Sequence, residues 1–367
     1  MLENWLKLVH PEAIVPEGLA DYQAGRQLAF YHPQATELPP TQIAIVGMEE
    51  AEANAVRRAL YRMSFPFAGL ACTDFGNLYK PDPAFAIPLF KELLDSQIIP
   101  VLIGSSGQQL LAPYKAFQRL QSHISLAVVD ERIRLSEQDP DDPNQYLNDI
   151  VLSTRSRLYH LGMIGCQTHY TDPAAFSYLE KNNFDCLRLG SARTDLSEAE
   201  PLIRDGDLAG FHLNAIRQAD APAQLEATPT GFTAEEACQL SRYAGMSDKL
   251  RAFAIIGWQR ARDRDEQTAQ LVAQMVWYFI EGVYNRKRDF PVSTEGLMEY
   301  IVEIKHLEDQ LTFWKSRRSS RWWMQVSVKT SKKYTRHRLI PCSYNDYQRA
   351  CQGELPDRLL NAYKRFL

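Results

Sequence analysis

Residues 126–135 read LAVVDERIRL. The apolar half has the length and composition of a buried strand. It stops abruptly on Asp130 and passes into a run of charge. In open α/β sheets the carboxyl ends of such strands face the ligand crevice. The roles of Asp130, Arg132 and Arg134 at that end therefore decide the chemistry. Because the two arginines flank Ile133, a continuing strand would put both guanidiniums on one face.

Outward from this stretch the pattern repeats. Upstream, TQIAIVG (41–47) and IIPVLI (98–103) read as short buried strands. Helical spacing lies between and after them, over 49–63, 85–97 and 111–120. Downstream, LGMIGC (161–166), 186–189, 208–213 and RAFAIIG (251–257) read as extended. Helical patterns follow over 146–152, 174–182, 233–243 (with a Thr-x-x-Glu capping box) and 266–285. The DFGN run at 74–77 reads as a turn, and the proline-bearing first 40 residues as an outer wrap. Alternation of strand and helix over 41–285 predicts a mainly parallel sheet covered on both faces, a three-layer α/β/α sandwich. After Pro291 strand patterns at 300–305, 311–315 and 321–328 follow one another without helices between them. Two short helices come next, near 343–352 and 355–366. This predicts a β-rich C-terminal extension, with domains at 1–290 and 291–367.

Composition excludes several classes. A net charge of −4 gives no general attraction to nucleic acid or anionic membrane. The six cysteines include no C-x-x-C pair, which suits reduced thiols and a cytoplasmic setting. The N-terminus has no basic start with a long apolar run, and no stretch reaches the length of a membrane span. The GSSG turn at 104–107 lacks both the nucleophile-elbow spacing and a Walker lysine.

Over roughly 41–290 the chain resembles the ureohydrolase family of arginase, agmatinase and especially formimidoylglutamase. IPVLIGSSGQQLL (99–111) resembles the family's strand and turn carrying Gly-Gly-x-His, and LAVVDERIRL the strand ending Asp-x-His-x-Asp. IGCQTHYTDP (164–173) is similar to the Gly-x-Gln segment of the formimidoylglutamase branch. AGFHLNAIRQADAP (209–222) is similar to the Asp-x-Asp strand with its downstream proline, and residues 255–282 to the last strand and helix. The resemblance implies an arginase-like fold and a centre of two manganese ions, held by histidines and aspartates, that activates water.

The chemistry of that centre departs from the pattern. The position of the first histidine falls at Gly107, and no histidine occurs between 91 and 122. The central motif gives Asp130, Arg132 and Arg134, and the last pair of ligands falls at His212 and Asn214. Asp130 alone keeps the family's residue. The substrate-binding glutamate falls at Gly257, with no carboxylate within 252–262. An arginine ~4 Å from a divalent ion would oppose it by roughly 8 kcal/mol at an effective dielectric of 20, and cannot escape by losing its proton. The sequence thus predicts a pseudoenzyme with no metal cofactor, acting as a scaffold or binding protein. Two alternatives stay open. One is a C–N hydrolase of guanidine or formimino compounds with a rearranged site. The other is an anion-binding crevice formed by Arg132, Arg134 and His212, since guanidinium forks suit carboxylate and phosphate. Plainer readings stand beside these: His212 as a core histidine, and Asp130 in a structural ion pair.

The basic stretch 315–338 holds nine Lys/Arg and no acid. Arg321, Trp322 and Trp323 suit a protein-partner interface, and single-stranded nucleic acid is a lesser reading of the same stretch. The structural alternative turns Trp322, Met324, Val326 and Val328 into the core. The expected partner is a protein not identifiable from the sequence, with a homo-oligomer also open.

Overall fold

The computed structural model describes residues 4–32, 39–139, 142–304, 310–326 and 339–366. The strands of its main sheet, in chain order, are β1 (Leu6–Lys7), β2 (Ala29–Phe30), β3 (Ile43–Gly47), β4 (Cys72–Leu78) and β5 (Ile99–Ile103). They continue with β6 (Ile124–Val129), β7 (Leu158–Cys166), β8 (Asp185–Arg188), β9 (Leu208–His212) and β10 (Ala252–Ile256). Their spatial order is β1-β4-β3-β5-β10-β9-β6-β7-β8, with β2 also on β4. Every pairing is parallel except that of β1 with β4.

Successive side chains point to opposite faces, and both faces are buried. Ile43, Ile45, Val101, Ile103, Ala127 and Val129 join one core, which is covered by helices Glu50–Leu60, Ala234–Met246 and Gln267–Tyr284. Ala44, Val46, Leu102, Leu126 and Val128 join the other, under helices Pro83–Asp95, Leu111–Leu120 and Pro173–Lys181. The expected three-layer sandwich is therefore present. Its helices start where the sequence supplies caps. Asp82 accepts from Ala84 N at 2.8 Å, Asp172 from Ala174 N at 2.8 Å, and Thr233 and Glu236 form the capping box.

Two expectations about the edge of this sheet need correction. The DFGN run is strand β4, not a turn. Its polar side chains are buried because Arg57 reaches them, with Nε 2.8 Å from Asp74 Oδ2 and Nη1 2.5 Å from Asn77 Oδ1. The first 40 residues do more than wrap the outside, since they contribute β1 and β2.

The extension is an antiparallel meander of β11 (Leu297–Val302), β12 (Leu311–Ser316), β13 (Trp322–Gln325) and β14 (Leu339–Cys342). Helices Tyr344–Cys351 and Asp357–Phe366 follow. It has four strands rather than three, and side chains from each of its faces enter a packed cluster, although Ile301 stays 57% exposed. Trp322, Met324 and Val326 enter its own core. Trp323 packs with Phe290 and Leu339 and lies under the Arg204 guanidinium, 4.4 Å from the ring centroid.

The proposed partner anchors are thus internal. Trp322 is 6% exposed and Trp323 1%. Arg321 is held by Glu200 at 3.2 Å and by the Met246 carbonyl at 3.0 Å. Arg321, Trp322 and Trp323 are therefore packed inside rather than free at the surface, and the structural alternative describes Trp322, Met324 and Val326. Val328 and the basic stretch from 327 to 338 lie outside the described residues. No helix among the described residues is long and apolar enough to cross a membrane.

Candidate functional site

Four neighbouring strands, β5, β10, β9 and β6, end on one crevice. Gly107 follows β5 in a short 3₁₀ turn capped by Ser106, and Asp130 follows β6 directly. His212 is the last residue of β9, and Gly257 the first after β10. A cavity of about 170 Å³ opens here, with Gly107, Arg134, Tyr146, His212, Asn214 and Glu226 in its lining.

The chain beyond β6 does not continue as a strand. Asp130 N still donates to Ile164 O at 3.0 Å, and Gln167 N reaches Glu131 O at 2.7 Å. The path then bends, and Leu147 N donates to Arg134 O at 3.1 Å, bringing Tyr146 over the crevice. This bend turns Glu131 inward. Strict alternation would have turned it away from Arg132 and Arg134, so the sequence reading passed over it.

Arg134 is the hub. Its Nε lies 3.1 Å from Asp130 Oδ2, its Nη2 2.8 Å from Glu131 Oε1, and its Nη1 3.4 Å from Glu226 Oε2. Arg132 sits further out, with Nε 2.8 Å from Glu131 Oε1 and Nη2 3.1 Å from Glu226 Oε2. Tyr146 donates its hydroxyl to Asp130 Oδ2 at 2.8 Å. His212 accepts at Nδ1 from Asn214 N at 3.3 Å, and that nitrogen is 3.8 Å from Asp130 Oδ1.

Burial sets the protonation states. Burial, and next the Asp130 carboxyl, push Glu131 up to about 8. Burial, and next the Arg134 guanidinium, push His212 down to about 3. At neutral pH Glu131 thus keeps its proton and His212 stays neutral. The two guanidiniums are held by carboxyl oxygens of Asp130, Glu131 and Glu226. This corrects the expectation of a positive crevice. Arg132, Arg134 and His212 do converge, but both guanidinium forks are already engaged and His212 carries no charge, so no free anion site is formed by these three residues.

Two glycines explain the remaining geometry. A Cβ at Gly107 would fall inside the ring edge of Tyr146, and one at Gly257 inside the imidazole of His212. Side chains at 107 and 257, the positions where the resemblance places a metal histidine and a substrate glutamate, would need the space those two rings fill. The rings lie parallel, 5.9 Å apart between centroids. The sequence singles out neither Tyr146 nor Glu226: Tyr146 stands there only as the start of a helical pattern, and Glu226 lies 92 residues from Arg134.

Two manganese ions do not fit this arrangement. Asp130, Glu131 and His212 bring three buried donor atoms within 4.8 Å of one another. Arg134, however, already donates to one oxygen of each of these carboxyls.

No family model matches the sequence, and no curated protein matches it. Solved structures do match in three dimensions. The crystal structure of Trypanosoma cruzi formiminoglutamase with Mn2+2 aligns with a TM-score of 0.61 at 14% identity, over 69% of this chain and 97% of that one. Formimidoylglutamase from Bacillus subtilis gives 0.61 at 15% identity, over 71% and 91%. Arginase from Bacillus subtilis gives 0.55 at 11% identity, over 65% and 98%. The chain therefore has an arginase-like fold, which these formimidoylglutamase structures share. About a third of the chain lies outside these alignments.

Proposed function

We propose that this chain is an arginase-fold protein that has given up two-metal hydrolysis and acts as a scaffold or binding protein without a resident metal. The observation that carries the reading is Arg134, whose guanidinium is bonded to both Asp130 and Glu131. Tyr146 and His212 fill the space that side chains at 107 and 257 would need. A protein partner, a homo-oligomer and a cytoplasmic setting belong to the same proposal. The free state of all six cysteines fits that setting.

A second reading has one observation in its favour. The cluster of Asp130, Glu131 and His212 offers donors for a single ion, so a C–N hydrolase with a rearranged site would centre there. One experiment separates the two. The purified protein is dialysed with manganese, assayed for bound metal, and then offered arginase-, agmatinase- and formimidoylglutamase-type substrates. The expected outcome is no stoichiometric metal and no release of urea, ammonia or formamide. Bound manganese together with turnover of any of these substrates would overturn the first reading.

A further inference from the structure

We propose that the chain binds a small di- or polyphosphate in a basic cleft at the amino ends of β6, β7 and β8, on the opposite edge of the sheet from the crevice. The cleft shares no residue with that crevice, so it does not depend on whether a metal is held there.

The cleft has a volume of about 490 Å³, within the usual range for small-molecule sites. Its walls are the residues leading into the three strands, the end of helix Pro173–Lys181 and the last turn of helix Asp357–Phe366. Arg157, Lys181, Lys364 and Arg365 line it, and among the described residues no carboxylate does. Most of the remaining lining is hydroxyl or amide, which suits a hydrophilic ligand. In a chain of net charge −4 this is a local reversal of sign.

The four cations are only partly neutralised. Arg157 Nη1 donates to main-chain carbonyls, of Gln118 at 2.5 Å and Gln121 at 3.2 Å. Arg365 Nη1 lies 3.5 Å from Asp185 Oδ2, an oxygen that His160 Nε2 also approaches, at 3.2 Å. Lys181 and Lys364 are exposed and form no ion pair among the described residues. Helices Leu111–Leu120, Pro173–Lys181 and Asp357–Phe366 end here, and each C-terminus carries about half a negative charge. Together with Asp185 they offset roughly two and a half of the four positive charges, which leaves an excess of more than one. The buried part of the site is Arg365. Its side chain is 4% exposed, and its Nε is buried without a hydrogen-bond partner among the described residues. Buried donors in that state are uncommon in folded proteins and mark a place for an acceptor from outside. A guanidinium within and ammonium groups at the rim suit phosphate oxygens, which take several charged donors at once. Cations drawn from three chain segments exceed what one singly charged group would engage, so the fit is to linked phosphates.

The test is titration calorimetry of the full chain with inorganic pyrophosphate in low-salt buffer, where screening is weakest. The expected result is one pyrophosphate per chain, bound about tenfold or more tighter than inorganic phosphate or citrate. The variant Lys181→Gln/Lys364→Gln changes two exposed side chains, so its Tm without ligand should match the parent's. It is expected to bind pyrophosphate about tenfold more weakly. Lys80→Gln/Lys287→Gln removes the same charge elsewhere on the surface and is expected to bind as the parent does. A parent that takes up no pyrophosphate overturns the proposal. So does undiminished binding by Lys181→Gln/Lys364→Gln, which would place the ligand elsewhere. Equal weakening in the two double variants would reduce the effect to general charge attraction and overturns it too. Citrate bound as tightly as pyrophosphate overturns the phosphate class. All of these outcomes leave the proposed function standing, because that is decided by metal and turnover at the crevice.

Discussion

Gly257 has its backbone at φ +90°, where a residue with a Cβ is strained, and the His212 ring lies where its side chain would be. Restoring an acid here by Gly257→Glu should therefore damage the protein rather than repair a substrate site. The backbone strain costs of order 1–3 kcal/mol, and His212 must also leave a fully packed position. We expect a loss of at least about 2 kcal/mol in chemical denaturation, with no gain of amidine hydrolysis. A variant within about 0.5 kcal/mol of the parent would mean that His212 moves aside readily and does not close the site. Asp130 was legible at this scale because a buried strand that stops on an acid marks a sheet's open end. Glu131 was not, since reading its direction required knowing that β6 ends at Val129 and that the chain bends there.

At the scale of elements, the contact between β13 and helix Ala199–Arg204 fastens the extension to the main sheet. Arg204 Nη2 donates to Trp322 O at 3.1 Å and to Cys342 O at 3.3 Å, and its guanidinium covers the Trp323 ring. Glu200 Oε1 accepts from Arg204 Nε at 2.8 Å and lies 3.2 Å from Arg321 Nε. Trp323→Ala should cost about 3–5 kcal/mol through the cavity it leaves. Amide exchange should speed up across β12–β14 before it does so in β5 or β9. If the variant keeps its stability yet loses a protein partner, Trp323 is an interface residue after all and its packing here is incidental. The central strands could be read from sequence because burial on both faces demands continuous apolar runs. Strand β4 could not. Its Thr73, Asp74 and Asn77 look like turn residues, and it is the guanidinium of Arg57, in the preceding helix, that makes Asp74 and Asn77 acceptable inside.

Over the whole molecule, the three layers were legible from alternating strand and helix patterns, whereas the docking of the last helix was not, because its partners lie more than 150 residues away. That helix sends Asn361 Nδ2 to Asp185 Oδ1 at 2.7 Å, Arg365 Nη1 to Asn183 O at 2.8 Å, and Arg358 Nη2 to Glu198 Oε2 at 3.0 Å. Beneath it His160 Nε2 lies 3.2 Å from Asp185 Oδ2 and 3.8 Å from Asp205 Oδ2. Burial, and next the Arg365 guanidinium, lower the pKa of His160. Burial opposes the charge on Asp185, but the bond from His160, the charges of His160 and Arg365 and the Asn361 amide outweigh it and hold that carboxyl well below the usual range. The unfolded chain protonates its histidine near pH 6.5 while the folded one resists. The stability due to His160 is therefore complete above about pH 6.5 and is lost as the pH falls from there toward the lowered folded value. The steepest loss is about 1.4 kcal/mol per pH unit for one proton. His212, also lowered, adds a slope of the same sign. Glu131, raised to about 8, adds the opposite one, losing stability as the pH climbs from its unfolded value toward 8. A total profile would mix the three, so the comparison is between the parent and His160→Gln, which can still donate to Asp185 but takes up no proton. Denaturation midpoints measured from pH 7.5 down to 5 should fall less steeply in the variant, and the two curves should converge toward the acid end. Parallel curves would mean that His160 titrates alike in the folded and unfolded chains, and that the last helix does not keep it neutral.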